Sequence, residues 1–318
     1  MMASPAAHAA AVERAVAELG ARAHRDAPLG ALTTYRVGGT AAVFVVADDV
    51  DDLRAVARAA GVSGLPVLVV GRGSNLLVSD GGFPGIAVQL GAVGAGIEQD
   101  GTDVVAGGGV LLPVLARRTA ALGLTGFEWA VGVPGSVGGA VRMNAGGHGS
   151  DMATVLAEAR VFDLRSGRDE TWTVPELGLR FRGSALTDDH VVLAARLRLA
   201  TGDRRSTERQ IAEIVRWRRA HQPGGQNAGS VFVNPVPGQL AAAELIDALG
   251  LRGARVGTAE VSPKHANFVQ ADEGGRAADV VAVIEMVRAK VAEAFGIVLR
   301  TEVRLVGFGT RAEPEVAR

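Results

Sequence analysis

The chain has 318 residues, 48% hydrophobic and 21% charged, with a formal net charge of −1; its length predicts two or three domains, and its mixed charge excludes the basic footprint of a nucleic-acid or anionic-membrane binder. Cysteine is missing altogether, which excludes disulfides, iron–sulfur clusters, thiol nucleophiles and cysteine-ligated zinc. Glycine is the outlier at 43 residues, nearly double the ordinary share of about 7%, so many backbone positions must turn tightly or approach something closely.

In chain order, residues 1–19 lack a basic start followed by an apolar core and predict a lead-in and a short amphipathic helix. No run of 18 apolar residues occurs, so no membrane span is expected, and the protein is expected to be cytoplasmic. Ala41 to Val46 predicts a strand. The acidic stretch Asp48 to Asp52 then leads into a helical pattern through Leu53, Val56, Ala57 and Ala60. Leu65 to Val70 completes a βαβ unit that ends at Gly71-Arg72-Gly73-Ser74-Asn75. A Rossmann turn would open into a helix here, but Leu76-Leu77-Val78 reads as a short strand, so a bound dinucleotide would be held by loops between strands.

Strands follow at Gly85 to Leu90 and Asp103 to Ala106, then a helix from Leu111 to Leu122. A second glycine-rich segment runs from Gly132 through Pro134, Gly135, Ser136, Gly138 and Gly139 to Asn144 and Gly146. Strands are expected at Leu156 to Asp163, Glu170 to Val174 and His190 to Leu199, with a boundary at Thr201-Gly202-Asp203. Beyond it come a basic helix, Ser206 to Ala220, helices near Leu240 to Leu249 and Ala277 to Phe295, and strands near Ser230 to Val233, Phe268 to Gln270 and Val298 to Val306.

Two glycine-rich segments let several backbone N–H groups converge on a pyrophosphate without side chains in the way. They suggest a ligand with two phosphates and a large planar end, with Ser74 and Asn75 adding side-chain donors; tight turns without a ligand are the plainer alternative for the first segment alone. Arg182, Ser230 and Glu302 each admit an ordinary reading, as a surface arginine, a turn serine and a solvated strand glutamate. The six histidines form no pair at metal spacing, so no metal is expected.

In this order, Thr34-Tyr35-Arg36-Val37-Gly38-Gly39, Gly71 to Leu77, Gly132 to Gly146, Arg180-Phe181-Arg182-Gly183-Ser184, Ala228-Gly229-Ser230-Val231-Phe232, Ser262-Pro263-Lys264-His265-Ala266-Asn267-Phe268 and Glu302-Val303-Arg304 resemble the UDP-N-acetylenolpyruvoylglucosamine reductase family. The early segments resemble the wider vanillyl-alcohol-oxidase-like flavin fold, and the later ones are specific to the reductases. The resemblance implies an α+β chain. Its expected parts are a lead-in at 1–28, a two-subdomain vanillyl-alcohol-oxidase/PCMH-type FAD-binding region at 29–202 (29–92 and 93–202), a substrate-binding domain at 203–308 and a tail at 309–318.

It also implies noncovalent FAD, held by Tyr35, Gly71, Arg72, Gly73, Ser74, Asn75, Gly132, Pro134, Gly135, Ser136, Gly138, Gly139 and Asn144, with NADPH as hydride donor. Arg182, Ser230 and Glu302 are the implied catalytic residues. Arg182 and Glu302 would stabilise an enolate, Glu302 while protonated or sharing a proton, and Ser230 would protonate the α-carbon. Small-molecule substrates are the partners implied, with no obligatory protein partner. Phe181 and His148 stand where the family often has tyrosine. Only about eight residues separate Pro235 from Glu244, as in a shorter-loop branch. An FAD enzyme acting on an alcohol or sugar, and a non-catalytic nucleotide sensor, are the competing readings.

Overall fold

The computed structural model describes residues 4–309, so most of the expected tail lies outside the described residues. The fold is α+β and divides into two units. The first holds residues 4–27, Ala41–Arg72 and Pro84–Arg218; the second holds Pro28–Thr40, Gly73–Phe83 and residues 219–309.

In the first unit, helix α1 (Pro5–Leu19) is capped by Ser4 and buries Ala11, Ala15 and Leu19, one residue per turn on one face. Strands β1 (His24–Ala27) and β2 (Ala41–Ala47) pair antiparallel. Helix α2 (Val50–Ser63) forms where the sequence supplies both ends. Asp49 and Asp52 make a reciprocal capping box, and Gly64 at φ 72° stops the helix. Leu53, Val56 and Ala59 face the core at helical spacing. Strands β3 (Val67–Val69) and β5 (Phe83–Leu90) pair parallel, giving a four-stranded sheet in the order β1-β2-β5-β3; β4 (Leu76–Val78) leaves this sheet for the second unit.

A second layer of the same unit is a five-stranded antiparallel sheet built on β6 (Ile97–Asp100), β7 (Asp103–Gly107), β8 (Leu156–Asp163), β9 (Asp169–Thr173) and β10 (His190–Arg198), in the order β9-β8-β10-β7-β6. Helix α3 (Leu112–Ala121) packs into its core through Leu112, Leu115 and Ala116. The second glycine-rich segment holds a helix that its glycines hide from a sequence reading. This helix, α4 (Val137–Met143), is capped by Ser136 and ended by Asn144 in the left-handed region.

In the second unit, helix α5 (Ala242–Ala248) and the long α6 (Ala277–Phe295) cover a small antiparallel sheet of β11 (Arg255–Val256), β12 (Ala259–Val261) and β13 (Val269–Ala271). Strand β14 (Arg304–Val306) pairs parallel with β4 in the register Arg304↔Leu76, Leu305↔Leu77 and Val306↔Val78. Two strand expectations need correction. Ser230 to Val233 is an irregular extended segment with a single bridge at Phe232, because its backbone bonds are shared between Asn267, whose side chain takes both groups of Phe232, and the Arg300–Glu302 segment. Of Val298 to Val306 only β14 is regular, because the chain changes partners at Glu302.

Candidate active site

The first unit contains a cavity of about 140 Å³. Gly71, Arg72, Ser136, Gly138 and Gly139, from the two glycine-rich segments, line it together with Gln89, Gly108, Gly109, Arg142 and His190. The glycines are required by contact as much as by any ligand. A β-carbon on Gly108 would fall 1.9 Å from the Val192 carbonyl oxygen, one on Gly71 2.4 Å from Ser136 Oγ, and one on Gly138 3.1 Å from the Gly108 carbonyl oxygen. The glycines therefore pack too closely to admit β-carbons, against backbone at Gly108 and Gly138 and against a side-chain hydroxyl at Gly71. The amides of Gly71 and Arg72 donate to no acceptor among the described residues. The Gln89 amide donates to the Gly71 carbonyl at 3.0 Å and holds that turn.

The other residues read from sequence as cofactor contacts have different surroundings. Gly132 ends a short 3₁₀ turn; Pro134 is exposed, and the Gly135 carbonyl accepts from the Leu112 amide at 2.9 Å. Asn144 is buried, its Oδ1 accepting from the Ala153 amide at 3.0 Å and its Nδ2 reaching Asp151 and the Arg180 carbonyl at 3.3 Å. Tyr35 is fully buried in the core of the second unit, where burial pushes its phenol upward and its hydroxyl meets no hydrogen-bond partner among the described residues. Gly73, at φ 63°, lies against the backbone of Leu32 and Thr33. Ser74 is half-buried in the following turn, and Asn75 donates from its side chain to the Glu302 carbonyl at 3.0 Å.

Arg182 sits at the tip of a tight turn closed by paired bonds between Arg180 and Gly183, at 3.0 and 3.1 Å. Its φ of 55° is left-handed, which costs a non-glycine residue on the order of 1 kcal/mol, and such strain concentrates at functional sites. Its guanidinium stacks over Phe181, 5.4 Å from the ring centroid, and reaches the Gly146 carbonyl at 3.4 Å.

In the second unit, the segments carrying Ser230 and Glu302 lie side by side. The Glu302 amide donates to the Val231 carbonyl at 2.7 Å, the Val233 amide to the Arg300 carbonyl at 3.0 Å, and Phe232 bridges Thr301. Beyond Glu302 the chain turns to β4, the Arg304 amide donating to the Asn75 carbonyl at 3.0 Å. Glu302 thus occupies the point where one extended segment exchanges partners, and it lines an open groove of about 1370 Å³ with Arg288, Arg304 and Phe308. The hydroxyl of half-buried Ser230 makes no hydrogen bond to another described residue.

Sequence reasoning passed over the Gly107-Gly108-Gly109 run, a signal as dense as the two segments it singled out. It also missed Gln89, Arg142 and His190, for which the sequence held no local signal. Among the described residues no cluster of histidine and carboxylate groups suits a metal, and no helix is long and apolar enough to cross a membrane.

Comparison with known proteins adds the family. A model of the FAD binding domain matches residues 41–169, and a model of the C-terminal domain of UDP-N-acetylenolpyruvoylglucosamine reductase matches residues 221–306. The reductase of Heliobacterium modesticaldum is 42% identical over 88% of this chain and 89% of its own length. That of Rubrobacter xylanophilus is 42% identical over 89% and 94%. The crystal structure of the enzyme from Thermus caldophilus superposes with a TM-score of 0.78 at 35% identity, covering 90% of this chain and 99% of that one. A glycine-walled cavity with amides to spare, a turn-borne arginine, paired serine and glutamate segments and these relatives lead to one conclusion: the chain belongs to the UDP-N-acetylenolpyruvoylglucosamine reductase family and is an FAD-dependent oxidoreductase.

Proposed function

We propose that the chain reduces the enolpyruvyl ether of UDP-N-acetylglucosamine to UDP-N-acetylmuramate with NADPH as hydride donor, in the cytoplasm, as a step of peptidoglycan precursor synthesis. The observation that carries this reading is the bond from the Glu302 amide to the Val231 carbonyl, 2.7 Å, which joins the serine and glutamate segments of the family's motifs.

The residues present fit the flavin. The cavity wall of Gly71, Arg72, Ser136, Gly138 and Gly139 offers a hydroxyl and two amides, those of Gly71 and Arg72, that donate to no acceptor among the described residues, a donor set suited to a pyrophosphate. When bound, FAD supplies the two-electron exchange that links NADPH to the substrate. Hydride addition at the β-carbon of an unsaturated carboxylate moves charge onto the carboxylate as an enolate, and a fixed cation and donors lower the energy of that species. Arg182 supplies the cation, held by its turn and by stacking on Phe181. Glu302, carrying a proton, supplies a donor. Ser230 then gives its hydroxyl proton to the α-carbon and recovers one from water. An alcohol is a weak acid, but an enolate is a base strong enough to take that proton.

The test separates the half-reactions. Ser230→Ala is expected to leave flavin reduction by NADPH nearly intact and to slow flavin reoxidation by the enolpyruvyl nucleotide by about 10²–10⁴, read by anaerobic stopped-flow absorbance. Equal slowing of both steps, or of neither, would assign Ser230 to the turn alone.

A further inference from the structure

The backbone on which Ser230 rides is fastened on both sides. One side is the Arg300–Glu302 segment described above. The other is a single residue, Asn267, which is buried and meets the Ser230 segment three times. Its carbonyl accepts from the Val231 amide at 2.9 Å. Its Oδ1 accepts from the Phe232 amide at 2.9 Å and its Nδ2 donates to the Phe232 carbonyl at 2.8 Å. The carboxamide thus takes the place of a neighbouring strand, matching one donor and one acceptor of the same residue. No other uncharged side chain of similar size offers both groups in that geometry.

Asn267 is itself held in a tight loop. The Ser262 amide donates to the Phe268 carbonyl at 2.8 Å, and the Phe268 amide to the His265 carbonyl at 3.0 Å. The Asn267 amide donates to His265 Nδ1 at 3.2 Å. The loop is therefore closed by bonds of its own, and what it grips is the residue after the hydroxyl bearer and the one beyond. Gly229, on the other flank, has a φ of 77°, and its amide donates to Asn227 Oδ1 at 3.1 Å. On the C-terminal side of Ser230, Asn267 alone makes three of the bonds that fix Val231 and Phe232.

We propose that Asn267 is a positioning residue for proton delivery, acting on the reaction through the Ser230 backbone while touching neither substrate nor flavin. This rests on the reading of Ser230 as the proton donor. A misplacement of about 1 Å at a reacting group can cost about 10²-fold in rate, and a carboxamide that replaces two ladder bonds is placed to prevent one.

The experiment uses the FAD-loaded full chain and Asn267→Asp, in which an ionised oxygen faces the Phe232 carbonyl where an amide donated. At alkaline pH, reoxidation of reduced flavin by the enolpyruvyl nucleotide should slow by about 10- to 100-fold, while reduction by NADPH stays within about twofold. Protonation of the aspartate restores the donor, so the reoxidation rate should recover on acidification relative to the parent enzyme. The parent shares the neighbouring titratable groups His265, Arg252, Asp247 and Lys264, so their effects divide out. In a Ser230→Ala background, Asn267→Asp should add less than about twofold, because residues that act through one another are not additive.

Full multiplication of the two effects, equal slowing of both half-reactions, or no slowing would overturn the proposal. Asn267→Ser, which leaves room for water, serves if Asn267→Asp does not retain flavin; if neither retains it, Asn267 belongs to the fold and the proposal fails. Should Ser230→Ala itself leave reoxidation unchanged, the assignment of the donor falls first and this proposal with it. Should only Asn267→Asp be without effect, the donor stands and the positioning role falls.

Discussion

Helix α6 begins without a cap of its own: Arg276 precedes it and makes no side-chain bond to the first turn, and Asp279 is occupied by the amide and hydroxyl of Thr258 at 2.9 and 2.7 Å. The cap comes from Asp80, 197 residues earlier, whose two oxygens accept from the Ala277 amide at 2.8 Å and the Ala278 amide at 3.1 Å. Asp80→Ala removes both partners. Loss of a cap costs about 1 kcal/mol, and loss of a negative charge at a helix start a further 0.3–1 kcal/mol or so. The ion pair with Arg276, at 3.8 Å and largely exposed, adds little. Asp80→Ala should therefore destabilise the protein by about 1.5–2 kcal/mol, and Asp80→Asn, which keeps one acceptor, by about half of that. Urea unfolding of the FAD-loaded protein followed by circular dichroism measures both, and amide exchange at Ala277 and Ala278 should quicken. A loss below about 0.5 kcal/mol in Asp80→Ala would refute the argument, since water would then be capping the helix as well as Asp80 does.

Gly138→Val places a β-carbon 3.1 Å from the Gly108 carbonyl and 3.3 Å from that of Val192, and its methyl groups add overpacking of about 1–3 kcal/mol. Flavin binding should weaken about tenfold or more, measured as flavin absorbance per protein during titration; full occupancy would count against the cavity as the cofactor site. Acid should weaken the fold through two histidines. Burial holds His265 below its ordinary range, helped by the Arg252 charge and opposed by Asp247, while burial and the Arg218 charge lower His148. Unfolded, both take up protons near pH 6.5 or so. Folded, they resist, so the unfolded chain binds more protons and stability falls as pH drops from there through the lowered folded values. Loss of stability beginning only below the carboxylate range would contradict this, and His265→Gln should flatten the decline.

The parts legible in the sequence are those whose causes are local. Helix α2 carries its capping acids, its apolar spacing and its stopping glycine within one stretch. The break from a Rossmann pattern after Gly71–Asn75 was equally plain, because three apolar residues, Leu76-Leu77-Val78, stood where a helix should open. What escaped reading had its cause elsewhere in the chain. Ser230 to Val233 has a strand's composition, yet its neighbour is a carboxamide 35 positions away, and no periodicity announces such a partner. Asn75 sits in a phosphate-like turn, but its amide donates to the Glu302 carbonyl, 227 positions on. Helix α4 was missed for the opposite reason: Ser136 and Asn144 mark its ends in sequence, and Gly138 and Gly139 outweighed them.

The threading of the second unit bears on how the chain is made. It draws on Pro28–Thr40, Gly73–Phe83 and the residues after 218, so Tyr35, Val37 and Leu77 belong to a core whose other buried members are synthesised much later. Strand β4 finds its partner only when β14 leaves the ribosome, since Leu76 pairs with Arg304. At about 5–20 residues per second, those early apolar segments wait on the order of tens of seconds with no native surface to cover them. A nascent chain stalled before β14 should expose them to a holding chaperone, and completion of the last strand should release it.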